Sequence, residues 1–292
     1  MKIGLQIPDF TWPGGPERLA PTLANVARVA DEVGFDSVSV MDHLFQIPQI
    51  GPIDNDMLEA YTALGFLAAH TRRARLLTVV SAVTYRHIGV LAKTVTTLDV
   101  LSGGRAMLGI GAGWNEEEAA GLGVPFPSLA TRFELLEDAV LACLSMWQPG
   151  DKPFTGRHVD LARTLNVPAP LSHPHPPIMI GGEGEKKTLR LVARYAQASN
   201  MWATPELPHK LEVLARHCEN EGRNYAEIEK TANYIFEFDE HRNGVDKALK
   251  DLESLAELGI DTVVAGVPEF WRMAPLELVG REIIPVAAEF GR

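Results

Sequence analysis

The feature that most restricts the architecture of this chain is a regular alternation of short β-branched runs with amphipathic stretches, sustained over 292 residues. Apolar runs at 2–7, 37–41, 76–84, 106–110, 177–180, 199–203, 229–238 and 262–265 read as strands. Between and after them, apolar residues recur at helical spacing over 17–33, 56–70, 89–101, 129–147, 185–196, 205–221, 245–258 and 276–290. Gly34 and the pair Gly103-Gly104 supply C-terminal stops. Eight strand–helix steps with no long run of one type favour an α/β chain closed into a (β/α)8 TIM barrel over an open sheet, as a single domain spanning 1–292. One stretch breaks the rhythm. Residues 148–177 are proline-rich, show no helical period and contain a small hairpin around Gly156, so they read as a lid-like insertion after strand four.

Composition narrows the partners. A net charge of −11 argues against a general nucleic-acid or anionic-membrane surface, which would need clustered Lys and Arg. No window approaches the roughly 20 apolar residues of a membrane span. The two cysteines, Cys143 and Cys218, have no CxxC spacing and read as free thiols of a cytoplasmic protein.

In such barrels the reactive groups follow the carboxyl ends of the strands. Asp42-His43 follows strand two; a histidine beside a carboxylate exchanges protons near neutral pH, with Asp42 orienting the ring. The plainer alternative is a capping or packing pair. Ser81, Ala82 and Thr84 close strand three, followed by Tyr85, Arg86 and His87, and from residue type alone they are only a polar strand end. After strand four comes Gly109-Ile110-Gly111-Ala112-Gly113-Trp114-Asn115. It is not a dinucleotide fingerprint, because Trp114 stands where the last glycine belongs. Gly111 and Gly113 would let a flat ring approach the backbone, with Trp114 at the pocket edge. The alternative is a tight turn into a helix capped by Asn115, whose first-turn Glu116, Glu117 and Glu118 suit the dipole.

Gly181, Gly182 and Gly184 precede another helix, where free amides bind phosphate and Lys186, Lys187 and Arg190 add charge. Barrels commonly bind phosphate after strands seven and eight. Here the segment after strand seven, FDEHRNG, is acidic, so the earlier loop is preferred. His173 and His175 lack companion ligands, which makes a stiffened loop a better reading than a metal site, and His158 reads as structural.

These residues carry a family resemblance. KIGLQIPDF, FDSVSVMDHLF, VTYRHIGVLAKTVTTLDVLSGGRAMLGIGAGWNEEE and NVPAPLSHPHPPIMIGGEGEKKTLRLVARYA together resemble the luciferase-like flavin-dependent superfamily, most closely its branch using the deazaflavin coenzyme F420. The resemblance implies a barrel with an insertion after strand four, a coenzyme across the carboxyl ends of the strands, and a homodimer. By position, Asp42 and His43 match an acid and histidine that line the ring and transfer protons. Ser81 and Ala82 match a non-proline cis peptide that bulges behind it, Thr84 matches a ring contact, and Gly181 and Gly182 match the phosphate loop. Sugar-phosphate dehydrogenases of this branch carry glutamate in place of Trp114 and tryptophan in place of Ile47, which argues against that substrate. The expected activity is hydride transfer between F420 and a small organic substrate. The alternatives are a monooxygenase using flavin mononucleotide (FMN) and a non-catalytic deazaflavin- or flavin-binding protein.

Overall fold

Each strand–helix step advances the chain one place around a ring. In this computed structural model, which describes residues 1–239 and 241–291, the elements run β1 (Lys2–Ile7), α1 (Pro16–Val33), β2 (Ser37–Val40), α2 (Ala60–His70), β3 (Arg75–Thr78), β4 (Ser81–Ala82), α3 (Ile88–Ser102), β5 (Ala106–Gly111), α4 (Glu116–Gly121) and α5 (Leu129–Met146). They continue with β6 (Phe154–Thr155), β7 (Asp160–Leu161), β8 (Ile178–Gly181), α6 (Thr188–Tyr195), β9 (Ala198–Trp202), α7 (Leu207–Glu221), β10 (Glu229–Ile235), α8 (Val245–Glu257) and β11 (Thr262–Gly266). Parallel pairing in the order β1-β2-β3-β5-β8-β9-β10-β11, with β11 returning to β1, closes an eight-stranded TIM barrel. The short β4 pairs with β5 above β3.

Alternation along the strands makes two cores. Ile3, Leu5 and Ile7 join the layer between barrel and helices, while the side chains between them face the lumen. There a Cβ on Gly4 would lie 2.2 Å from Ser37 Oγ. Leu77, Met107, Met179 and Ala198 form a separate apolar plug within the barrel. Below it the lumen is charged. Arg75 of β3 spans the barrel to Glu229 of β10, both nitrogen–oxygen distances being 2.8 Å, and also pairs with Asp36. The Thr262 hydroxyl donates to Glu229 at 2.6 Å.

This cluster sets an acid limit on stability. Burial alone would raise the Glu229 carboxyl, but the Arg75 hydrogen bonds and charge, with help from Thr262 and Lys2, outweigh it and hold the group at about 2. A carboxyl depressed on folding contributes stability that is complete above its unfolded value near 4.3 and is lost as pH falls toward the folded one. Urea unfolding of the wild type should therefore weaken steeply between about pH 4.3 and 2, and Glu229→Gln should flatten that fall. Equal slopes for the two proteins across this window would contradict the assignment.

Several boundaries differ from the sequence expectation, each for a local reason. The run 76–84 is not one strand, because its pairing with β5 lapses between Leu77 and Ser81, although the Val79 amide still donates to the Val40 carbonyl at 2.9 Å. Helix α2 starts at Ala60 rather than 56, since Glu59 caps it by accepting from the Thr62 amide at 2.7 Å. Strand β10 ends at Ile235 rather than 238, where its register with β11 runs out at Gly266. The expected helix 276–290 is broken into Ala274–Leu278, a wide π turn over Val279–Ile283, and Ile284–Ala287. Pro285 has no amide hydrogen to give the ladder there.

The 148–177 stretch is a strap along the outer wall, not a cover over the barrel. Its hairpin, β6 with β7, is held by buried Asp138 of α5, which accepts from the His158 and Val159 amides at 2.7 and 3.2 Å. Further along, buried Asp99 of α3 accepts from the Leu171 and Ser172 amides at 2.7 and 2.9 Å and from the Ser172 hydroxyl at 2.6 Å. Backbone donors met by buried carboxylates bind the strap to helices rather than to strand ends. Among the described residues no helix is long and apolar enough to cross a membrane.

Candidate active site at the carboxyl rim

Because all eight strands are parallel, their carboxyl ends share one rim, and His43, Trp114 and Gly181 stand on it together. The lapse between β3 and β4 shapes its floor. A non-prolyl cis peptide lies at Val79–Val80, two residues before the Ser81–Ala82 position suggested by resemblance. Ser81 and Ala82 are already in register with Ile110 and Gly111 of β5, so the irregular bond falls in the gap where pairing with β5 is interrupted. The neighbouring glycines accommodate this gap. A Cβ on Gly109 would sit 1.9 Å from the Thr78 carbonyl oxygen, and one on Gly181 would sit 2.9 Å from both Val80 methyls. Val80 likewise lies 3.0 Å from the Cβ position of Gly111, so the open side of that glycine is filled by a valine rather than left for a ring. Gly113 has φ 77° and packs against Ala82.

Ser81 turns into the wall. It is fully buried, with its hydroxyl between Tyr61 Oη at 3.3 Å and Thr78 Oγ1 at 3.0 Å, and Thr78 donates onward to the Gly109 carbonyl at 2.9 Å. The Thr84 hydroxyl is also buried but has no hydrogen-bond partner among the described residues.

Asp42 and His43 part company. Successive side chains of an extended segment point to opposite sides. Asp42, buried, receives both terminal nitrogens of Arg86, one at 2.9 Å, and Arg86 also pairs with Glu59 and lies 4.8 Å over the Tyr61 ring. Asp42 therefore does not orient the imidazole as expected from sequence. That partner is Glu118, whose Oε2 lies 2.7 Å from His43 Nδ1. Glu118 is 1% exposed and also accepts from the Tyr85 hydroxyl at 2.6 Å, the Phe45 amide at 3.0 Å and the Leu44 amide. Burial would raise its carboxyl, but the hydrogen bonds from His43, Tyr85 and the two amides prevail and hold it below the ordinary glutamate value. Burial and the adjacent Glu118 push the Tyr85 phenol up. Nε2 of His43 has no hydrogen-bond partner among the described residues, and the ring stands 5.5 Å from that of Trp114.

Sequence reasoning took Glu118 for a dipole-complementing acid. One local sign pointed further. It is the third helical residue after Asn115, which accepts from the Glu118 amide at 3.1 Å, and an acid there reaches back past the helix start. Nothing local indicated that it would meet His43. Trp114, Trp202 and Ile235, at the ends of β5, β9 and β10, are each more than half exposed and make an apolar rim.

The glycine loop after β8 keeps part of its expected character. Helix α6 begins at Thr188 without a side-chain cap, and within its first turn the Leu189 amide donates to the Gly184 carbonyl at 3.1 Å, which leaves the Thr188 and Arg190 amides for an anion. Lys186 and Lys187 are exposed. Arg190 instead pairs with Glu221 of α7 at 2.9 Å, the Gly182 amide donates to Asn200, and Glu183 accepts from the Trp202 amide at 2.6 Å. A cleft of about 420 Å³ opens between the loops following β10 and β11, beside the segment 238–244, of which Glu240 lies outside the described residues. Its arginines are engaged in ion pairs, Arg242 and Arg281 sharing Glu282 and Arg272 meeting Glu269. His175 stacks on Trp147 at 5.6 Å, and His158 pairs with Glu134 at 2.7 Å.

A closed parallel barrel with a carboxylate-held histidine and an aromatic ledge on its carboxyl rim has the form of a barrel enzyme that works on a ligand at that rim. Its family is definite: the luciferase-like monooxygenase profile matches residues 1–256, and the chain belongs to that family. An F420-dependent glucose-6-phosphate dehydrogenase of Nakamurella multipartita is 31% identical over 267 residues, covering 86% of this chain and 73% of that protein. An uncharacterized protein of Mycobacterium tuberculosis is 32% identical over 196 residues, covering 63% and 67%. Among solved structures, an F420-dependent secondary alcohol dehydrogenase in complex with an F420–acetone adduct shares the fold at TM-score 0.81 and 17% identity, covering 98% of this chain and 99% of that one.

Proposed function

We propose that this chain is an oxidoreductase that transfers hydride between coenzyme F420 and a small organic substrate, with His43 moving the accompanying proton. The observation that carries this reading is the His43 ring itself: one nitrogen is tied to a buried carboxylate, the other has no partner among the described residues, and the ring stands beside Trp114 on the rim. The residues fit a flat coenzyme with a phosphate tail. Thr84 keeps a buried hydroxyl unpaired among the described residues, where it could meet a polar ring edge, and at the start of α6 beyond the glycine loop the Thr188 and Arg190 amides, unlike those of Gly182 and Leu189, are left for an anion. Trp114 and Val80 supply apolar surface. When bound, the deazaflavin supplies the carbon that gives or takes hydride. The names of the F420-dependent relatives favour it over FMN.

Titrating purified protein with each coenzyme tests this choice. F420 should bind at least about tenfold more tightly than FMN, a difference of roughly 1.4 kcal/mol; preference for FMN would overturn the assignment.

We infer a homodimer as well. Val90 and Leu101 on α3, with Leu165, Val167 and Leu171 on the strap, are large apolar side chains each more than half exposed. Light scattering at micromolar concentration should return twice the chain mass, and a monomer would refute this. The unpaired, buried Cys143 and Cys218 support a cytoplasmic setting, which recovery of the native protein in an exported fraction would contradict.

A further inference from the structure

We propose that Glu118 is the positioning residue that decides which nitrogen of His43 carries the proton, and so makes Nε2 the atom that exchanges it with substrate. The proposal rests on the F420 reading for its catalytic half only. Its structural half follows from how the four acceptor positions of one carboxylate are used. Oε1 accepts from the Leu44 and Phe45 amides, and Oε2 from Tyr85 Oη at 2.6 Å and His43 Nδ1 at 2.7 Å.

Backbone amides only donate, and the Tyr85 hydroxyl is given to Oε2. A carboxylate so surrounded stays ionised and can only accept, which obliges Nδ1 to carry a hydrogen. In the neutral ring Nε2 is then a bare acceptor, ready to take a proton from a carbinol. Once protonated it returns that proton to a carbonyl oxygen. Glu118 never holds the proton. It is also isolated from the second ion cluster of this rim, because Asp42 and Glu59 are both engaged by Arg86. The same carboxylate that orients the ring pins Leu44 and Phe45, so the loop after β2 and the histidine are set by one group reaching from the start of α4.

Glu118→Gln distinguishes this role from a structural one. The Leu44 and Phe45 amides cannot turn, so the glutamine carbonyl must keep the Oε1 position and its NH2 must occupy that of Oε2. The NH2 then donates to His43 Nδ1, which forces the imidazole hydrogen onto Nε2. An amide in place of the orienting carboxylate of a serine-protease triad leaves the geometry intact and holds the histidine in the wrong tautomer.

Nitrogen-15 spectra of the coenzyme-free protein, with His43 identified by its loss in His43→Gln, should show an unprotonated Nε2 in the wild type. In Glu118→Gln the protonated nitrogen should be Nε2. With F420 and an oxidisable alcohol, the variant's kcat should fall about 100- to 10,000-fold while KM and coenzyme affinity stay within a few-fold. An Nε2–H wild type, a variant that keeps the wild-type tautomer, or a switched tautomer with unchanged kcat would each overturn the proposal. Should Glu118→Gln not fold, the wild-type tautomer decides alone. If the tautomer switches as expected but the wild type neither binds nor turns over F420, it is the coenzyme assignment that fails.

Discussion

His43→Ala is expected to lower kcat/KM with F420 by about 100- to 10,000-fold, the range for removing one positioned acid–base group. Coenzyme affinity should change by no more than a few-fold. The separation between these effects is the informative part. His43 touches the rim through one ring edge, against Trp114, and its other nitrogen is occupied by Glu118, so its removal takes away a proton carrier without dismantling the floor formed at Val79–Val80. Steady-state kinetics with a carbonyl or carbinol substrate, paired with fluorescence titration of the coenzyme, reads both quantities. A variant that retains more than half of wild-type kcat would remove His43 from the chemistry. One that loses coenzyme binding by the same factor as kcat would make it a binding residue instead.

Arg86→Met should cost about 3–5 kcal/mol of folding stability, the range for stripping one partner from a buried ion pair. The Asp42 carboxylate is inaccessible to water and receives two guanidinium nitrogens, and methionine cannot replace either. Burial alone would lower the Arg86 pKa, but its contacts with Asp42 and Glu59 raise it above the ordinary arginine value, so the pair is fully charged at neutral pH. Adding Asp42→Asn to Arg86→Met removes the stranded charge and should recover much of the loss, because paired buried charges are often close to neutral in net effect. Urea unfolding of the single and double variants measures this directly. A loss below about 1 kcal/mol in Arg86→Met, or a double variant no more stable than it, would show that Asp42 finds water or another cation. The turn that carries His43 directly follows Asp42, so part of the kcat loss in Arg86→Met should arise without any contact between Arg86 and substrate.

Position after predicted strands brought Asp42 and His43, Thr84 and the Gly181–Gly182 loop to notice, the family resemblance added their roles, and all lie at the strand ends where a barrel places its chemistry. The partnership read from residue chemistry was wrong. Asp42 is the immediate neighbour of His43 in sequence, and adjacency suggested a pair. The pleat of the chain sends the two side chains apart, and the partners come from residues 86 and 118. The cis peptide was misplaced for a similar reason, since the alignment of Ser81 and Ala82 does not reveal that both are already paired with β5.

Local rules were sufficient wherever the cause of an element is local. The β-branched runs, the 3.6-residue spacing of Leu91, Val95 and Leu98, the left-handed glycine stops at Gly34 and Gly103, and the Asn115 cap together determined the order and class of the main elements, though not the splits at 79–80 and 279–283. From these the closed barrel and its working rim followed. Tertiary structure alone decided which charges meet. Glu118 reaches a histidine 75 residues away, Arg75 crosses the lumen to Glu229 at a separation of 154, and the strap turns to α3 and α5 because Asp99 and Asp138 are buried there. Periodicity reports the direction of a side chain relative to its own element, whereas the partner it finds depends on how the ring of strands closes.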